Sequence, residues 1–370
     1  MKKGAAILLF LALLAIPFSA YLLRPDLIGN DGYGFLLFVC RENNLIGLDG
    51  LSFLAFSAIP CSIIAIKALL FGLAAITGCV IIEFAWLFSP KNGWLAAYLL
   101  FLTSVFVMEF TIFENDQLAY PLLFCSLLLF FRGIRCEKWK RTNFALCLLC
   151  LGIGTLLWNG GVFFLVAYSL TIWLFLIASI PLLLWKGKEL FGLVVFGNNL
   201  ISENQPFQFH MHYLLNFGIM GLLFEPLLLY QGLFFYTLGM AADKFWVLSV
   251  PFLIVGMIIG LEKADKEWLN HIVMIVSFIT VFGLAQSVWL NPPTQAHWQA
   301  IDYAIEAADG NRIGNDWGMG YWVLWAGGDT NSYMSPERQE AFSPGEITVS
   351  GQDLNCLPLR RFGPAAVYRC

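Results

Sequence analysis

Residues 61–88 read CSIIAIKALLFGLAAITGCVIIEFAWLF, and this run decides the fold class. A helix of about 20 apolar residues crosses the hydrocarbon core of a bilayer. Lipid cannot satisfy an open backbone, so a helix is the default for such a run. Working outward, further candidate spans lie near 4–23, 93–111, 117–132, 144–157, 162–185, 206–224, 226–242, 245–260 and 268–290. The composition agrees. Of 370 residues, 59% are hydrophobic and 12% charged, and the mean hydropathy is +0.73, far outside the range of a soluble globular domain. The expected fold is an all-α polytopic membrane protein.

Lys2 and Lys3 precede the first apolar run as in a signal peptide, but no small-residue cleavage site follows cleanly, so a retained helix is expected. Lys91 and the cluster Arg132, Arg135, Lys138, Lys140 and Arg141 mark cytoplasmic loops by the positive-inside rule. That places Asp31 and the Glu114-Asn115-Asp116 turn outside. Glu225-Pro226 divides 206–242 into two passes, because proline interrupts a helix. A short or tilted return within 186–203 keeps the parity, giving about eleven crossings.

From Asn291 onward the composition turns polar and glycine-rich. Residues 1–290 are therefore expected to form the transmembrane domain. Residues 291–370 are expected to form a small external C-terminal domain, α/β or irregular, that packs on the membrane part because it is too small to bury much core alone. Most of the nine cysteines fall in apolar runs and behave as small hydrophobes. Cys356 and Cys370 lie in the external tail, where a disulfide can form. The formal net charge of −4 comes with no basic patch, so nothing argues for nucleic acid.

Carboxylates at membrane edges are costly and usually functional. Asp31 lies in Gly29-Asn30-Asp31-Gly32-Tyr33, directly after the first span, followed by a stretch that reads as a surface helix. Its plainer reading is a solvated turn residue. Glu114 and Asp116 open a helical hairpin, and Glu203 follows in Ser202-Glu203-Asn204-Gln205-Pro206. Oxygen ligands from separate loops suit one hard divalent cation, Mg2+ or Mn2+, beside a phosphate-bearing lipid. Capping of the next helix explains Asp116 without a metal, but not Glu114.

The order of these motifs resembles the catalytic subunit of oligosaccharyltransferase, in the broader GT-C class of membrane glycosyltransferases. That family carries an aspartate in its first external loop and a later D-x-D or E-x-D motif, and Asp31, Glu114 and Asp116 fall on those positions. Trp158-Asn159-Gly160-Gly161-Val162 is similar to its W-G-G-Y-V stretch, and Leu200 to Pro206 to its S-V-S-E-x-Q-P loop. By that resemblance Glu203 reaches both the metal and the acceptor amide. Lys244 stands where the family has an arginine for the lipid pyrophosphate, keeping the charge without the bidentate fork; beside Asp243 it also reads as a snorkelling lysine.

Asn315-Asp316-Trp317-Gly318-Met319-Gly320-Tyr321-Trp322 aligns on the family's S-W-W-D-Y-G-Y-W, which reads the acceptor's hydroxyl. Trp317, Gly320, Tyr321 and Trp322 match. Asp316 replaces a tryptophan and Gly318 the aspartate, so the chain resembles a reduced or divergent member. The resemblance implies acceptor binding by Asp316, Trp317, Tyr321 and Trp322, and catalysis by Asp31 and Glu203. His210 and His212, two apart on a helix, point to different faces. Glu83 and Glu109 sit in apolar runs and are expected to pair within the bundle.

The expected function is transfer of a glycan from a polyprenyl (dolichyl-type) phosphate or pyrophosphate to an asparagine of an external protein. The resemblance and the chain size place it in an archaeal or bacterial plasma membrane, with the active site on the external face. One alternative is a GT-C transferase using a polyprenyl-phosphate monosaccharide and a hydroxyl acceptor. An alternative of another class is a transporter or non-catalytic scaffold, since paired carboxylates and broken helices also build ion pathways.

Overall fold

The computed structural model describes residues 1–29, 31–41, 48, 50–102, 104–136, 139–169, 213–241, 245–330 and 345–370. In chain order the helices are α1 (Lys3–Leu23), α2 (Asp31–Arg41), α3 (Gly50–Ser57), α4 (Ile63–Phe88), α5 (Ala96–Leu99), α6 (Ser104–Glu109), α7 (Asn115–Arg135) and α8 (Lys140–Leu157). They continue with α9 (Val162–Ser169), α10 (Tyr213–Leu222), α11 (Pro226–Ala241), α12 (Trp246–Ala264), α13 (Glu267–Leu290), α14 (Gln295–Ala308) and α15 (Gly320–Ala326). The strands are β1 (Gly314–Asn315), β2 (Ile347–Ser350), β3 (Leu357–Phe362) and β4 (Ala365–Arg369).

The chain divides into two compact units. A helical unit comprises Met1–Tyr21, Leu69–Phe110 and Asn115–Gln286, and a tail unit comprises Leu22–Ala68, Thr111–Glu114 and Ser287–Cys370. The tail unit thus groups the C-terminal segment from Ser287 with the first polar loop.

Among the described residues, six helices are long and apolar enough to cross a membrane: α1, α4, α7, α8, α12 and the run that begins at Glu267. The expected span 93–111 is not one helix. It is a 3-10 turn over Gly93–Leu95 followed by α5 and α6. The physical reason is a tight reversal after α4. The Ser89 hydroxyl accepts from the Asn92 amide at 3.2 Å, and Gly93 lies so close that a Cβ there would sit 2.9 Å from the Trp86 Cα. The return expected within 186–203 lies outside the described residues.

In the helical unit, Glu225 ends the turn after α10 and Pro226 opens α11, where a proline costs no helix hydrogen bond. Helices α10 and α12 cross backbone against backbone. A Cβ at Gly221 would lie 1.7 Å from the Gly256 carbonyl oxygen, and one at Gly256 2.0 Å from the Gly218 carbonyl oxygen. Small residues permit such close approach where lipid provides no hydrophobic drive between helices. Aromatic rings fill the rest, with Phe84, Phe131, Phe235 and Phe252 in edge and stacked contacts.

One end of this bundle gathers its charges. Glu83 near the end of α4 pairs with Lys3 at 2.8 Å and with Arg132 at 3.0 Å. Arg135 pairs with Glu225 at 2.8 Å and lies over the Phe88 ring. The Ser89 hydroxyl donates to Glu262 near the end of α12. The expected partner of Glu83 is therefore found.

In the tail unit, a four-stranded sheet of order β1-β2-β4-β3 packs under α14. Strand β1 runs parallel to β2, and the β2–β4 and β4–β3 pairs are antiparallel. Ile301, Ala304, Val349 and Val367 are fully buried in this core. The expected Cys356–Cys370 disulfide is present, and a second disulfide joins Cys40 to Cys61.

Candidate acidic site

In the tail unit, Asp31 is the first residue of α2, where a carboxylate faces the positive end of the helix dipole. Gly29, two residues earlier, has φ +79°, a conformation that glycine adopts without strain. Its amide donates to the Pro292 carbonyl at 3.1 Å, and its carbonyl accepts from Trp322 Nε1 at 3.0 Å. The loop bearing Asp31 is thereby fastened to the tail on both sides.

Glu114 belongs to the same unit. Ile28 and Ile112 form a parallel β-bridge, and a Cβ on Gly32 would lie 3.5 Å from the Phe113 amide nitrogen. Phe113 is buried, with its ring 6.0 Å from Phe35 and 5.2 Å from Phe56. The two short segments that carry Asp31 and Glu114 therefore run side by side, although they lie far apart in sequence.

Helix α2 is held at its far end too. The Arg41 guanidinium donates to the Leu324 carbonyl at 3.1 Å and the Trp325 carbonyl at 2.9 Å, closing the last turn of α15, and it lies over the Trp325 ring. Tyr33 is fully buried between Trp298 and Trp325. Burial and the neighbouring Asp26 push its hydroxyl well above the ordinary tyrosine value. Arg24 is buried and donates to the carbonyls of Val288 and Pro293.

Asp116 is in the helical unit, buried in the first turn of α7. Its carboxylate accepts from the Gln117 amide at 3.0 Å, close to the capping role expected, and lies 3.3 Å from the Tyr120 hydroxyl. The same hydroxyl donates to Glu109 at 2.8 Å. Glu109 thus finds the polar partner expected of it, and one phenol lies between two carboxylates. Sequence reasoning missed Tyr120; its position one helical turn after Asp116 is the signal.

The Trp158-Asn159-Gly160-Gly161 stretch packs on this turn. The Trp158 ring meets Tyr120 edge-on at 5.4 Å, and the Asn115 side chain donates to the Leu157 carbonyl at 3.3 Å. A Cβ at Gly160 would lie 2.3 Å from the Trp158 ring, and one at Gly161 2.5 Å from the Thr155 hydroxyl. Both glycines answer to packing.

In the tail motif, Tyr321 and Trp322 are buried, and Trp317 opens a 3-10 turn over Trp317–Met319. The Asp316 carboxylate accepts from the Ser350 hydroxyl at 2.9 Å and the Gly351 amide at 2.8 Å, linking the end of β1 to the end of β2. Burial raises its pKa, and those two hydrogen bonds oppose the rise. A Cβ on Gly318 meets nothing within 4 Å.

Glu203, Lys244, His210 and His212 lie outside the described residues. Among the described residues, no three His, Cys, Asp or Glu side chains converge to hold a metal ion. No protein-family model matches the chain, and no curated protein sequence matches it.

Proposed function

We propose that this chain is a GT-C-like membrane glycosyltransferase related to the oligosaccharyltransferase catalytic subunit. It transfers a glycan from a polyprenyl phosphate or pyrophosphate to an asparagine of an external protein. The observation that carries the reading is the side-by-side placement of the segments bearing Asp31 and Glu114, together with the motif order along the chain. The basic end of the helical unit, with Arg132 and Arg135, is assigned to the cytoplasm by the positive-inside rule. In chain order Asp31 follows α1 and Glu114 immediately precedes α7, and the same rule applied along the sequence assigns both to the external side. About eleven crossings complete the proposed topology.

By donor chemistry alone, the carboxylates of Asp31, Glu114, Asp116 and Glu203 would suit Mg2+ or Mn2+. The cation supplies charge neutralisation at the departing phosphate. An asparagine amide is a poor nucleophile. Asp31 and Glu203 would accept hydrogen bonds from its two N–H groups, weakening conjugation with its carbonyl. As the nitrogen bonds to the anomeric carbon, the bond from that carbon to the phosphate oxygen breaks, the phosphate leaves with the electron pair, and one of the two carboxylates takes the amide proton. Lys244 offsets charge on the leaving group, and apolar helices hold the polyprenyl chain.

A hydroxyl acceptor with a monosaccharide-phosphate donor is the second reading. Asp316 favours it, because its carboxylate ties Ser350 and Gly351 within the tail and stands where the family has a tryptophan. The test is turnover by the purified protein in lipid, supplied with manganese and either a pyrophosphate-linked oligosaccharide or a phosphate-linked monosaccharide. Consumption of the first with glycosylation of an asparagine peptide supports the proposal, and loss in Glu203→Gln ties it to the site. Consumption of the monosaccharide donor alone selects the second reading, and no consumption of either rejects both.

A further inference from the structure

The sequence from Gly50 to Ile66 contains no Asp, Glu, Lys, Arg or His. It covers α3, the connection after it and the first residues of α4. In the tail unit, Ser52 and Phe56 of α3 point inward, and the rings of Phe35 and Phe56 lie 4.7 Å apart. The opposite side presents Leu54 at 65% exposure, and Phe53, on the flank that meets Phe38, is 41% exposed. A helix face that meets water normally carries charged or polar groups; this one is bare of charge and bulky.

The exposed side continues into α4. Ile64 is 71% exposed, at the start of a helix apolar enough to cross a bilayer. Six residue steps separate Ser57 from Ile63, a reach of at most about 20 Å fully extended. The connection is folded, with Ile59 bonded to the Phe56 carbonyl and Ser62 to the Pro60 carbonyl. The Cys40–Cys61 disulfide also fastens the end of α2 next to the start of α4. Helix α3 therefore stays within a short distance of the point where the chain enters the hydrocarbon.

We propose that α3 is an interfacial anchor, with Phe53 and Leu54 set into the boundary between headgroups and acyl chains of the surrounding bilayer. Such helices lie in the interface plane with the apolar side down. Helix α2 packs on α3 through Phe38 and Phe53, 5.3 Å between ring centres, so the anchor also fixes the height of the helix that begins at Asp31. The inference stands without the transferase reading.

Photo-crosslinking from single leucine positions tests it, in full-length protein in phosphatidylcholine nanodiscs. A diazirine analogue of leucine, nearly isosteric, replaces Leu54, Leu357 or Leu8. These three are similarly exposed, at 65%, 63% and 69%, and Leu8 lies within the spanning helix α1. After irradiation, mass spectrometry counts lipid, water and peptide adducts, and mapping of the Cys40–Cys61 bond shows that the unit is folded. The proposal expects lipid adducts at position 54 at the level of position 8, about tenfold or more above position 357. Water insertion at position 54 matching position 357 would overturn it, as would a crosslink to another part of this chain or to a second copy.

Discussion

The two units hold themselves together by different means. In the helical unit, Gly218, Gly221 and Gly256 bring α10 and α12 into backbone contact, Phe rings fill the gaps, and every cysteine is a free thiol: Cys79, Cys125, Cys136, Cys147 and Cys150. In the tail unit, two disulfides, a small sheet and hydrogen bonds from Trp322, Arg41 and Arg24 do the holding. Lipid rewards shape and penalises open polar groups. A short segment with little core needs covalent staples, which persist in an oxidising compartment. The same chain follows both rules, and one of the boundaries between the units falls between Glu114 and Asn115.

The sharpest break of this contrast is steric. Gly221→Ala puts a methyl carbon 1.7 Å from the Gly256 carbonyl oxygen. It is expected to cost about 3 kcal/mol or more, because backbone must move. Thermal unfolding in detergent should show the loss of the helical unit, while disulfide mapping still finds Cys356–Cys370 intact. A wild-type melting curve would refute the close crossing.

Next in size are the staples. Replacing both Cys40 and Cys61 by serine opens a bridge of sequence separation 21 and is expected to cost about 3 kcal/mol. Exchange of the exposed free thiol Cys136 for serine should stay within about 0.5 kcal/mol. Equal effects of the two changes in chemical denaturation would erase the distinction between the units.

A smaller effect is expected at Asp316. Its folded-state pKa is raised from 3.8 by burial. The protonated acid is therefore the form favoured by folding. The stabilisation is fully present below 3.8 and is lost as pH rises through the raised value. Denaturation of the tail unit followed between pH 3 and 7 should show this decline in the wild type and a flatter profile in Asp316→Asn. Identical profiles would remove the burial argument. The smallest effect belongs to Gly318→Asp, where open space around the Cβ predicts a stability change within about 0.5 kcal/mol. Should the asparagine reading hold, this variant also improves use of peptides with an N-x-S/T sequence.

Much of this fold was legible from apolar runs and turn chemistry. Residues 4–23, 61–88 and 117–132 read as helices because lipid imposes one periodicity and one length, and Pro226 marked its turn. Cys356 and Cys370 were readable as a pair because both stand in a polar tail. Cys40 was not, since it sits in an apolar helix where a cysteine passes for a core hydrophobe. The break in 93–111 escaped because it comes from how closely Gly93 approaches Trp86, a contact no window of hydropathy records. Of the candidate carboxylates, sequence supplied Asp31, Glu114 and Asp116 by type and spacing. It could not supply the Ile28–Ile112 bridge or the Tyr120 hydroxyl between Glu109 and Asp116, which depend on tertiary neighbours.

In the proposed mechanism Asp31 and Glu114 serve one cation. Manganese titration of the purified protein in lipid, followed by the electron paramagnetic resonance of free Mn2+, tests it without substrate. The account predicts one saturable ion in the wild type, affinity at least about tenfold weaker in either Asp31→Asn or Glu114→Gln, and no change in the exposed surface variant Glu306→Gln. Binding that survives both substitutions, or no saturable binding in the wild type, would contradict it.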